Sequence, residues 1–121
     1  MSSAGSPERL AALAAAFRER VARDASRLRA LDDVLGIATA DERMSALAEI
    51  RSIGHKLYGT APAFDAADIG AAAGELEHAA IAASHRFEEN APILLKRLRA
   101  LLEILDSACG AHGGRTFTPR L

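Results

Sequence analysis

The chain is poor in aromatic and sulfur-bearing residues: 121 residues hold no tryptophan, one tyrosine, four phenylalanines and one cysteine. A lone Cys109 cannot form a disulfide within the chain, which suits a reducing compartment. No window alternates apolar and polar positions with β-branched residues, so no strand is expected. No apolar run approaches the length of a bilayer span, and the opening MSSAGSPERL has no apolar centre of the secretory-leader kind. The expectation is a cytoplasmic protein with no membrane partner. Charge of one sign is also lacking, the net value being −1. Locally, Arg9, Arg18, Arg20, Arg23, Arg27 and Arg29 outnumber Glu8, Glu19 and Asp24. Without aromatic or loop chemistry beside them, these arginines read as the wet face of an amphipathic helix, and no nucleic-acid partner is expected.

What the chain does have is alanine and leucine, within a hydrophobic share of 50%. Both lose little freedom in a helix. Leu10, Leu13, Phe17, Val21, Leu28, Leu31 and Leu35 draw one helical stripe after Ser6-Pro7, with Gly36 as a stop. Thr39-Ala-Asp-Glu42 has the pattern of a reciprocal capping box, and Leu47, Ile50, Gly54, Leu57 and Ala61 follow as a second stripe up to Pro62. A third helix is expected over Asp65–Ser84, on Ile69, Ala72 or Ala73, Leu76, Ala80 and Ala83. A loop holding His85, Glu88, Glu89 and Asn90 then leads to a fourth helix with Leu94, Leu98, Leu101, Leu102 and Leu105. The expected architecture is all-α, an antiparallel four-helix bundle over 7–109, with a disordered start (1–6) and a flexible tail (110–121). The Leu-rich fourth helix could be covered within one monomer.

One residue departs from this economy. At about 100° per residue, His55 falls roughly 140° from the centre of the second stripe and should face water. Its neighbours on that face are small: Ala48 and Ser52 before it, Gly59 one turn after it. A glycine inside a helix costs roughly 1 kcal/mol relative to alanine. Either something bulky approaches His55 along that face, or Gly59 serves a close helix contact or loosens the helix end. Lys56 and Arg51 stand close in sequence as possible partners for an anionic group on the imidazole. An imidazole exchanges its proton near neutrality, so such a ring is available as a nucleophile.

The segment Ile53-Gly-His-Lys-Leu-Tyr-Gly-Thr-Ala-Pro-Ala-Phe64, with Ile69 and Leu76-Glu77, resembles the histidine-containing phosphotransfer (HPt) domain of bacterial two-component phosphorelays. His55, Leu57, Gly59, Ala61 and Leu76-Glu77 occupy that family's motif positions, and Phe64 matches an aromatic found in some bacterial members. The resemblance covers about residues 41–80. It implies a four-helix bundle whose exposed histidine takes a phosphoryl group from a receiver-domain aspartate and passes it to another. It implies His55 as phosphoryl acceptor, Lys56 first and Arg51 second as phosphate-stabilising cations, and Ser52, Gly59, Ala48 and Tyr58 at the docking surface. Partners would be receiver domains of response regulators or hybrid histidine kinases. No cofactor or metal is expected on this chain, since Mg2+ would belong to the receiver. Such a protein is a relay intermediate rather than a turnover enzyme. The sequence departs at two positions, with Tyr58 where many members have lysine and Asp65 where many have glycine.

Other readings have less behind them. Glu75-Leu-Glu-His78 has the spacing of a di-iron ligand pair, but such a site needs a second copy and two further inward carboxylates. His85 and His112 lack zinc-like partners. The dimerisation domain of a sensor kinase would place an acidic residue after the histidine and proline five residues on, where this chain has Lys56 and Thr60. A helical adaptor, which binds a receiver or another signalling partner without relaying phosphate, is the alternative from a different class.

Overall fold

The computed structural model describes residues 6–110 and 114–120. Among the described residues there are four α-helices: α1 (Pro7–Leu35), α2 (Ala40–Thr60), α3 (Ala67–His85) and α4 (Phe87–Ala108), with a 3-10 turn over Ala61–Phe64 between α2 and α3. They pack in a ring, each against its chain neighbours, with α1 closing onto α4. Short connections make consecutive helices antiparallel. The apolar stripes meet inside: Val21, Leu28, Leu47, Ile50, Leu57, Ile69, Leu76, Leu94, Leu98, Leu101 and Leu105 are fully buried. On α3 the inward residue is Ala73, with Ala72 half-buried beside it.

The helix starts follow from local chemistry. Ser6 Oγ accepts the Arg9 amide of α1 at 3.2 Å, and Pro7 supplies a preset φ at the first position. Thr39 Oγ1 accepts the Glu42 amide at 3.2 Å while Glu42 Oε1 accepts the Thr39 amide at 3.0 Å, which completes the expected capping box.

Helices α2 and α3 make the most extensive contact, and small residues set its spacing. A Cβ on Gly54 would lie 2.9 Å from the Ala73 carbonyl oxygen, and one on Gly74 would lie 2.8 Å from Cδ1 of Tyr58. At Gly54 the two backbones approach too closely for a side chain to stand between them, and at Gly74 the Tyr58 ring fills that space.

Three boundaries differ from the sequence reading. Asp65 precedes α3 rather than opening it, and takes a left-handed conformation (φ 55°, ψ 37°). Glycine is the default residue there and aspartate is one of the few tolerated substitutes. The expected loop after α3 shrinks to Arg86 alone, so that His85 ends α3 while Glu88, Glu89 and Asn90 lie in α4. Asn90 makes this possible, because its Nδ2 donates to the carbonyls of Ala82 (3.3 Å) and Arg86 (2.7 Å) at the end of α3.

Residues 114–120, read from sequence as part of a flexible tail, lie on the bundle. Gly114 turns the chain with φ +63°, and the Arg115 amide donates to the Ala108 carbonyl at 2.8 Å. Phe117 is buried against Phe17, edge-on at 4.8 Å, and Phe17 stacks flat on Phe64 at 4.4 Å. Arg115 Nη1 donates to Asp68 at 2.7 Å, and the Arg120 amide donates to the Ala63 carbonyl at 2.7 Å. His112 and residues 1–5 lie outside the described residues.

Candidate functional site

The α2 periodicity that buries Leu47, Ile50, Gly54 and Leu57 leaves His55 on the outer surface, with 71% of its side chain exposed. The close approach at Gly54 has a direct consequence for the next residue. A Cβ there would meet the Glu77 amide nitrogen at 3.2 Å, so α3 brings Glu77 alongside His55. Glu77 Oε2 lies 2.9 Å from His55 Nδ1, and its own side chain is only 16% exposed.

This pair fixes the chemistry of the ring. A carboxylate can only accept, so the shared proton sits on Nδ1. The lone pair then falls on Nε2, at the edge of the ring turned away from Glu77.

A groove between α2 and α3 runs past the ring, lined by Met44, Ala48, Arg51, Ser52, His55, Glu77 and Ser84, together with the buried Leu47 and Ala80. Thus Ala48, Ser52 and Arg51 share a surface with His55, as the sequence reading expects. Lys56 is directed elsewhere, into a second cleft between α1 and α2 with Arg20, Arg23, Asp24, Arg27 and Ile53. Of the two cations named from sequence, Arg51 shares the groove of His55 and Lys56 does not.

Gly59 has nothing within 4 Å of the place its Cβ would take, so it serves no helix contact and leaves the surface beyond His55 low. Tyr58, 55% exposed, lays its ring across Gly74 of α3. Glu77 is the site residue that position on one helix could not give. Its only sequence signal is the Leu76-Glu77 pair of the resemblance. The Glu75-x-x-His78 spacing leads to no site, since Glu75 pairs with Arg97 at 3.0 Å. No group of three or more His, Cys, Asp or Glu side chains fit to hold a metal ion occurs among the described residues.

The site defines a class: a helical bundle that presents one tautomer-fixed imidazole to solvent beside an open groove. None of the described helices is long and apolar enough to cross a membrane. No family model matches the chain, and no curated protein or solved structure matches it either.

Proposed function

We propose that the chain is a histidine phosphotransfer protein. His55 accepts a phosphoryl group from the aspartyl phosphate of a receiver domain and returns it to the aspartate of another. The observation that carries this reading is the exposed His55 ring with Nδ1 held at 2.9 Å by Glu77. Nε2 attacks phosphorus, the P–N bond forms, and the P–O bond to the aspartate breaks with the carboxylate leaving. The Nδ1 proton stays between His55 and Glu77, whose charge offsets the positive charge the ring gains. Phosphoryl transfer asks a protein mainly for positioning and charge stabilisation. Arg51, which shares the groove, is the residue assigned to the phosphoryl oxygens. Mg2+ belongs to the receiver. Ala48, Ser52 and Gly59 keep the approach open, and the left-handed Asp65 fits a position where the resembled family often has glycine.

The test is incubation with receiver domains carrying labelled phosphate. Acid-labile, base-stable label should move to the wild-type chain and be absent from His55→Gln. Glu77→Gln should keep the fold and slow transfer by about tenfold or more, the scale of one hydrogen bond to a charged group. Stable receiver binding with no label on the chain would replace the relay by the adaptor reading.

A further inference from the structure

The second cleft lies on the opposite flank of the α2 ridge from the His55 groove, and its character is different. Arg20, Arg23 and Arg27 from α1 and Lys56 from α2 converge on it, with Asp24 at its base. The chain as a whole carries −1, so this concentration of cations is local. The acidic groups facing it leave it positive. Glu49 is committed to Arg27, accepting from Nη2 at 2.7 Å. Asp24 meets Arg20 only at 3.6 Å, and its Oδ2 is buried without a hydrogen-bond partner. Arg23, Lys56 and, across the ridge, Arg51 make no ion pair within 4 Å among the described residues. Of the cleft residues, Ile53 packs against the apolar core, while Arg23, Arg27 and Lys56 are exposed.

A partner that reaches His55 must lie over the exposed ridge formed by Arg51, Ser52, His55, Lys56 and Gly59. The low surface at Gly59 lets it settle there. It then straddles both flanks. On the proposed function, that partner carries an aspartyl phosphate and a divalent cation. A magnesium ion is held through carboxylates, so the partner's centre is surrounded by negative charge. We propose that the α1–α2 cleft is the electrostatic half of the docking surface, taking the acidic rim of the receiver domain while the α2–α3 groove takes its apolar part. This inference rests on the phosphotransfer reading and adds that Arg20, Arg23 and Lys56 govern encounter with the partner rather than the chemistry at Nε2. Complementary charges of this kind act mainly on association rate and are screened within about 10 Å at 0.1 M salt.

The experiment uses the full chain and a panel of isolated receiver domains. Labelling of His55 by phosphoramidate, a small donor with no docking surface, measures the imidazole alone. Transfer from phosphorylated receivers measures docking as well. The expected result is that R20E/R23E slows transfer from receivers about tenfold or more at low salt, that raised salt slows wild type in the same direction, and that phosphoramidate labelling is unchanged. Arg23→Glu alone, at an exposed and unpaired position, covers the case in which the double variant loses helix content by circular dichroism. Transfer insensitive both to salt and to Arg23→Glu would overturn the cleft's role and leave the phosphotransfer function standing. Absence of transfer from every receiver to wild type would overturn both.

Discussion

Two glycines on the same helix face opposite demands. At Gly54 a methyl group would run into the α3 backbone, 2.9 Å from the Ala73 oxygen, whereas at Gly59 it would enter open space. Gly59→Ala should therefore stabilise the protein by about 0.5–1 kcal/mol through helix propensity, read as a higher urea midpoint. Gly54→Ala should destabilise the protein by about 1–3 kcal/mol through overpacking, read as a lower urea midpoint, and weaken the His55–Glu77 contact, seen as slower phosphoramidate labelling. On the proposed function, a bulkier Gly59→Gln should leave that labelling intact and slow transfer from a receiver, because only docking would need the space. The outward position of His55 was legible in the sequence, since one 100° rotation rule decides it. Glu77 was not legible as a partner from periodicity, because contact across two helices depends on their register. That register is set by where Gly54 lets the α2 and α3 backbones meet and where Gly74 makes room for the Tyr58 ring.

Among the elements, the four helices were readable because each repeats its apolar residues with a helical period and two of them carry side-chain caps. The segment 114–120 was not, because one phenylalanine has no period and the glycines before it resemble a linker. Its anchorage is nevertheless specific: Phe117 closes the edge of the Phe17–Phe64 stack and lies under the guanidinium groups of Arg18 and Arg115 at 5.6 and 5.5 Å. Phe117→Ala should cost about 3 kcal/mol, at the lower end for a buried phenylalanine because the segment can release rather than leave a void. Thermal unfolding measures the loss. Hydrogen exchange should show it concentrated at the 3-10 turn and the first turn of α3, where Arg120 and Arg115 attach. The single-residue connection at Arg86 was missed for a related reason. Asn90 and the acidic residues near it look like loop composition until Asn90 is seen capping the preceding helix.

For the molecule as a whole, four carboxylates respond to the fold, and one of them runs opposite to the other three. Hydrogen bonds from the Thr39 backbone amide and hydroxyl hold Glu42 below the usual carboxylate range, the Arg27 guanidinium does the same for Glu49, and the Arg115 guanidinium for Asp68. Their folded-state values lie below the unfolded ones. Their contribution is present above about pH 4, the unfolded carboxylate range, and is lost as pH falls through the folded values. Burial pushes Asp24 the other way, against the attraction of Arg20, Arg23 and Lys56. Its ionised form is disfavoured in the fold, so it costs stability above its raised folded value and ceases to do so on protonation. Asp24→Asn should therefore raise the melting temperature at neutral pH. The gain should vanish by about pH 3, where the wild-type carboxyl is itself neutral. Melting curves of the two proteins across that range check the sign.

Tyr58 gives the molecule a built-in reporter. With no tryptophan anywhere in the chain, its phenol dominates the ultraviolet emission, the four phenylalanines being weak emitters. It sits one helical turn beyond His55, half in solvent and half against Gly74. Quenching or enhancement of that signal would follow a visitor settling on this ridge in real time, with no dye attached and no residue of the His55 site altered.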